Sequence, residues 1–146
     1  MSTTQSQSQP RIAELTRDYK FAAFTTMGEH GIPNTRPMAT QEAEPDMDLW
    51  FATRLDSEKV DELRRNPKVG VYYYDAEKNI GRYVSIGGTV EIIKDQARFK
   101  QYWKDSWRQW FPKGPDDPDA VLLKVDAEVV TYEDGHDAPV TFHPSK

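Results

Sequence analysis

The sequence predicts a mostly β (α+β) domain: six strands, most antiparallel to their neighbours, curled into a small closed or half-closed barrel with short helices between them. Three observations lead there. Strand-like runs recur along the whole chain, separated by Gly, Pro, Asn and Asp clusters. Two of these runs, Arg82 to Ile93 and Val121 to Tyr132, are long, and the first carries a Gly87-Gly88 pair where a bulge or a close backbone approach would bend it. The helical patterns are short and too few to cover both faces of a parallel sheet.

Each element has its own signal. Pro10 suits a first helical turn, and Ile12, Leu15 and Tyr19 fall on one face of a short helix. Phe21 to Met27 reads as a buried strand. Gly28-Glu29-His30-Gly31 is a turn, and Ile32 to Thr40 resumes in extended form, which is a hairpin signal. An acidic loop, Gln41 to Asp46, precedes a third strand from Asp48 to Thr53 carrying Trp50 and Phe51. A helix opens on Ser57 and stops before Pro67. Its apolar face is thin, Val60 and Leu63, so it is expected to pack on a sheet edge. Val69 to Tyr74 is the fourth strand, Asp75 to Asn79 a polar loop, and Arg82 to Ile93 the fifth strand. Asp95 caps a helix whose Phe99, Tyr102 and Trp103 follow helical spacing. The breaker-rich loop Pro112 to Asp119 leads into the sixth strand. The expected division is a flexible tail over 1–9, one domain over 10–135 and a C-terminal tail over 136–146.

Composition removes several function classes. A net charge of −5 without a Lys/Arg run argues against general nucleic-acid binding. The chain has no cysteine, so disulfides and thiolate chemistry are excluded, and its three histidines, His30, His136 and His143, have no metal-ligand spacing. No apolar run reaches membrane-spanning length, and Met1 to Gln9 lack the apolar core of a signal peptide, so a cytoplasmic location is expected. Aromatic residues make up 12% of a chain whose mean hydropathy is −0.80, which suggests a compact core plus aromatic surface kept for a ligand or a subunit.

Two groups of residues could carry chemistry. Arg36, Thr53, Ser57 and Lys59 fall at strand ends or a helix start. Acids are favoured in a first helical turn, so a lysine there is easier to understand if an anion docks at the helix N-terminus beside it. Taken alone, however, Ser57 reads more readily as an ordinary N-cap, Lys59 as a solvated lysine, and Arg36 as one half of a surface ion pair. The second group is Trp107, Trp110 and Phe111. These aromatics either cap the barrel or cover a flat ligand, and capping is the commoner use. Asp46, Asp48, Asp116, Asp117 and Asp119 lie in loops and read as solvated turn residues, and no catalytic triad or paired-carboxylate site is present.

Several blocks now stand in a known order. They are Thr35-Arg36-Pro37-Met38-Ala39-Thr40, Leu49-Trp50-Phe51-Ala52-Thr53, Asp56-Ser57-Glu58-Lys59-Val60, Asn66-Pro67-Lys68-Val69, Tyr83 to Glu91, and Trp110-Phe111-Pro112-Lys113-Gly114 with Asp117-Pro118. Over about residues 10 to 134 the chain resembles the pyridoxamine 5′-phosphate oxidase-like, FMN-binding split-barrel superfamily, in its general stress protein 26 type. The resemblance implies a six-stranded antiparallel split β-barrel with short flanking helices, forming a homodimer with flavin mononucleotide (FMN) at the subunit interface. It implies that Arg36 and Lys59 contact the flavin phosphate with Ser57 beside them, and that Pro37, Met38 and Ala39 run along the isoalloxazine ring. Thr53 would lie by the ring or ribityl chain, Tyr83 at a ligand-binding glutamine position of the oxidases, and Trp110 and Phe111 over the site.

The departures from the pattern are specific. Glu58 stands where the oxidases carry an arginine and Gln41 where they often carry a lysine, which weakens the site electrostatically. The chain ends at Lys146 without the oxidases' substrate-binding C-terminal segment, so genuine pyridoxamine 5′-phosphate oxidase activity is not expected. The expectation is an FMN-binding protein, a flavin-dependent oxidoreductase of unknown substrate, with FAD as an alternative flavin. The rival expectations are a non-catalytic flavin-sequestering stress protein, or a split barrel holding another flat cofactor such as a deazaflavin or haem.

Overall fold

Residues 10–40, 49–75 and 81–144 are described by the computed structural model. The expected N-terminal tail, the acidic loop with Gln41, Asp46 and Asp48, most of the polar loop before Gly81, and the last two residues lie outside the described residues. Seven strands follow in order: β1 (Phe21–Met27), β2 (Pro33–Ala39), β3 (Leu49–Arg54), β4 (Lys68–Tyr74), β5 (Arg82–Ile93), β6 (Ala120–Asp134) and β7 (Val140–Phe142). Three helices accompany them with three short 3-10 turns: α1 (Ile12–Thr16) before β1, α2 (Glu58–Arg65) between β3 and β4, and α3 (Gln96–Tyr102) between β5 and β6.

Every described strand pairing is antiparallel, and the path runs β2-β1-β4-β5-β6-β3. The path bends at the predicted place, because the β5–β6 register slips between Gly87 and Gly88. A Cβ on Gly88 would land on the Asp126 carbonyl, where backbone cannot yield. We expect Gly88→Ala to destabilise the protein by about 1–3 kcal/mol in chemical denaturation, the cost of overpacking. The β1–β2 turn is equally specific: Gly28 N–H donates to the Ile32 carbonyl at 2.8 Å, while His30 and Gly31 take φ of 61° and 73°. Glycine at position 31 removes the strain that a side chain would carry there.

The result is a mostly β split barrel of six strands, and β7 is an addition to the expected set. It lies within the segment expected to be a C-terminal tail, pairs with β6 through Val130↔Phe142, and buries Phe142 against Tyr132. Three residues flanked by Pro139 and His143 give too short a pattern to be read as a strand.

Strand alternation builds the core. In β1 the side chains of Ala22, Phe24 and Thr26 point inward, and Phe24 meets Phe51 of β3 edge-on at 5.2 Å. A smaller apolar cluster lies under α3, where Phe99, Trp107, Phe111, Trp50 and Leu122 pack together. Burying each such large side chain contributes about 1.5–3 kcal/mol. The Asp95 cap forms as expected, its carboxylate accepting from Arg98 N–H at 3.0 Å. The thin face of α2 needs correcting. Val60 and Leu63 are fully buried, Glu62 is buried with them, and the helix packs on β1, which is interior to the sheet rather than at its edge.

Candidate functional site

Because the sheet path does not close, β2 and β3 are its two ends, and a cleft of about 360 Å³ lies between them. Arg36, Pro37, Met38 and Ala39 of β2 form one wall. Ala52, Thr53 and Arg54 of β3, with Asp56, Ser57 and Lys59 from the start of α2, form the other. Phe21, Trp107, Trp110 and Phe111 complete the lining. Side chains separated by up to ninety positions thus converge because the fold leaves one side of its barrel open.

One end of the cleft is polar. Ser57 occupies the N-cap position of α2, but its hydroxyl makes no capping bond; it turns toward Thr53, with the two oxygens 3.4 Å apart. Lys59 Nζ donates to Thr53 Oγ1 at 2.9 Å. The expectation of a solvated lysine fails: Lys59 is half-buried and, among the described residues, pairs with no carboxylate. Burial, and then the nearby positive charge of Arg36, hold its pKa below the ordinary lysine value.

Arg36 is an ion pair, as its simplest reading held, but the partner is internal. Its Nη2 lies 3.2 Å from Glu62 Oε1, and Nη1 donates to Thr26 Oγ1 at 2.7 Å. Glu62 is only 2% exposed and also accepts from Thr26 Oγ1 at 2.6 Å and Asn34 Nδ2 at 2.8 Å. The Thr26 hydrogen bond comes first among the contacts that hold the carboxyl below its usual range. Arg36 therefore faces the cleft with its guanidinium already anchored from behind.

The other end is apolar. Trp107 and Phe111 are buried and stack into the α3 cluster, so these two do cap the core. Trp110, between them in the chain, is 46% exposed and stands at the mouth of the cleft. The aromatic block therefore divides: Trp107 and Phe111 serve the core, and Trp110 is left exposed beside the cleft.

Nine expected site residues meet in this one cleft: Arg36, Pro37, Met38, Ala39, Thr53, Ser57, Lys59, Trp110 and Phe111. Tyr83 does not join them. It stands on β5 beside Tyr74 and stacks on Tyr72 at 5.7 Å, within a row of partly exposed tyrosines. Sequence reasoning missed Phe21, Arg54 and Asp56 in the lining and Glu62 behind it. No local signal marked the last: its i, i+3 spacing to Lys59 suggests an ion pair on the helix, whereas Glu62 pairs with Arg36 of β2. Among the described residues no group of His, Asp and Glu could hold a metal ion, and no helix is long and apolar enough to cross a membrane.

The family model described as pyridoxamine 5′-phosphate oxidase like matches residues 7–144. The chain belongs to this family. Its members also supply structural neighbours. A protein related to general stress protein 26 of B. subtilis, from Clostridium acetobutylicum, is 31% identical over 89% of each chain, with a TM-score of 0.75. The general stress protein 26 of Bacillus anthracis strain Sterne is 22% identical over 92% of this chain and 96% of its own, with a TM-score of 0.77. A pyridoxamine 5′-phosphate oxidase-related, FMN binding protein from Nostoc punctiforme shares the fold at 17% identity, covering 98% of this chain and 90% of its own at a TM-score of 0.73. No curated protein matches the chain. Within the pyridoxamine 5′-phosphate oxidase-like family, this member presents an open-sided barrel whose cleft is cationic at one end and aromatic at the other.

Proposed function

We propose that the cleft between β2 and β3 binds FMN and that the protein is a flavin-dependent oxidoreductase. The observation that carries this reading is Lys59: a half-buried cation without a carboxylate partner among the described residues, at a helix start whose cap hydroxyl is turned away. A phosphate there would meet Lys59, the Ser57 hydroxyl and the first N–H groups of α2, with Arg36 across the cleft. Met38, Trp110 and Phe111 would then line the place of the flat ring. A volume of about 360 Å³ is within the usual range for cofactor sites. Family membership and the neighbour named for FMN binding support the same reading.

A bound flavin supplies the electron or hydride transfer, and the chain's own residues bind, orient and exclude water. Lys59 and Arg36 would hold the phosphate, the β2 backbone from Pro37 to Ala39 would line the ring, and Trp110 would shield it from water. The same reading includes a homodimer, in which the exposed row of Tyr72, Tyr74 and Tyr83 on one copy is covered by the second and Tyr83 approaches the second copy's cleft. Such a row is costly to leave in water.

One observation favours a second reading, flavin sequestration without turnover. The titratable side chains of the lining are Arg36, Arg54, Asp56 and Lys59, and each is already engaged by a hydrogen bond or an ion pair. Titrating purified protein with FMN and with FAD tests binding. Saturable quenching of flavin fluorescence and a higher Tm are expected with FMN, and a flat response to both flavins refutes the proposal. Reduction of the bound flavin by NAD(P)H, followed by reoxidation with an added acceptor, separates the enzyme from the sequestering protein. Sedimentation should return twice the chain mass.

A further inference from the structure

We propose that Arg54 is a positioning residue, a clasp that ties the aromatic wall of the cleft to its floor and sets how fast a bound molecule leaves. Arg54 ends β3, beside Thr53, and its guanidinium reaches three carboxylates and one carbonyl. Nε donates to Asp56 Oδ1 at 3.1 Å, Nη2 lies 3.5 Å from Asp119 Oδ2, and Nη1 lies 3.5 Å from Asp117 Oδ2 and from the Trp110 carbonyl oxygen. A lysine, a point charge on a flexible stem, could not span these four acceptors.

The acceptors sit on the parts that form the site. Asp56 belongs to the turn that delivers Ser57 and Lys59. Trp110 is the exposed tryptophan at the mouth, and it also borders a smaller cleft on its far side, lined by Arg54, Lys113, Asp117 and Asp119. Trp110 and Arg54 thus border both clefts, and Trp110 is flanked in sequence by the deeply packed Trp107 and Phe111 but is itself outside that packing. Asp117 is the fixed point of the clasp. It is 1% exposed, not the solvated turn residue its sequence suggests; its Oδ1 accepts from Asp119 N–H at 2.9 Å, and its Oδ2 has Arg54 as ion-pair partner but no hydrogen bond. Three carboxylates gathered around one guanidinium more than offset its charge, which disfavours an anionic ligand there. It acts on Trp110 rather than on the ligand.

The part about ligand release rests on the flavin reading; the part about Trp110 does not, and the test separates them. Ligand-free protein carrying 5-fluorotryptophan gives one fluorine resonance per tryptophan, assigned with Trp110→Phe and Trp107→Phe. In Arg54→Gln the Trp110 resonance should shift and sharpen while that of Trp107 stays in place. Since removing Arg54 leaves buried Asp117 uncompensated and could unfold the loop, Arg54→Gln/Asp117→Asn is measured beside it. The double variant should regain most of the lost Tm yet keep the shifted Trp110 resonance and release FMN about tenfold faster than the parent in stopped-flow fluorescence. An unmoved Trp110 resonance, or one that moves together with Trp107, overturns the clasp. So does a double variant that regains both Tm and the parent's release rate, because Arg54 would then only neutralise Asp117. If the parent binds no FMN, the flavin reading falls, and the fluorine spectra alone decide the clasp.

Discussion

Replacing Lys59 by methionine should weaken FMN binding by about 1.5–3 kcal/mol, the range for a hydrogen bond to a charged group, or roughly 10- to 150-fold in Kd. The same substitution should raise the Tm of the ligand-free protein. Both effects follow from the position of the ammonium, half-buried, beside Arg36 and bonded to a neutral hydroxyl. Its folded pKa lies below the ordinary value, so between the folded pKa and about 10.5 the unfolded chain binds more protons. Ligand-free stability attributable to Lys59 therefore rises with pH across that window. FMN binding behaves oppositely, because it needs the charged form: affinity falls as pH climbs through the folded pKa of Lys59, and that fall disappears in Lys59→Met. Calorimetric titration across the alkaline range reads the affinity and melting curves read the stability. Equal FMN affinity in the two proteins would remove Lys59 from the phosphate site.

Glu62→Gln should cost about 3 kcal/mol of folding stability, the lower end for breaking a buried charged pair, because Arg36 keeps some access to water. The carboxylate oxygens accept from Thr26, Asn34 and Arg36, and a carboxamide would place a donor against one of those donors. Glu62 has a lowered folded pKa, so its contribution is present above the unfolded value near 4.5 and is lost as pH falls through the folded pKa below it. In Glu62→Gln that part of the acid-induced loss should be missing from denaturation curves taken below about pH 4.5. Glu62→Gln also loosens the guanidinium on the cleft wall, whereas Arg36→Ala removes a ligand contact and a fold contact together. Lys59 is the cleaner probe of the site.

Local pattern was enough for much of this protein and insufficient for a definable remainder. The Gly87-Gly88 slip and the Asp95 cap depend on neighbours in sequence, and both stand as read, whereas β1, read as a buried strand, alternates and leaves Phe21 exposed. Ser57 shows the limit. A serine before a helix suggests a cap, yet its hydroxyl meets Thr53 only because β3 runs directly into the turn before α2. Glu62 is harder still, since its burial is tolerable only with donors from Thr26 on β1 and from Asn34 and Arg36 on β2. Tyr83 was assigned by position in a motif. Position in a motif cannot say which way a side chain faces, and Tyr83 faces a row of tyrosines.

The open side of the barrel also bears on the order of folding events. β2 and β3 follow one another in the chain but end up at opposite ends of the sheet, and β3 is held there by pairing with β6, Trp50 opposite Lys124 and Thr53 opposite Val121. That distant pairing must exist before the cleft has two walls. A molecule lodged in the cleft grips both ends of the sheet and has nothing to hold earlier. It should therefore leave the refolding rate unchanged and act on the reverse step, as a brake on unfolding that strengthens with its concentration.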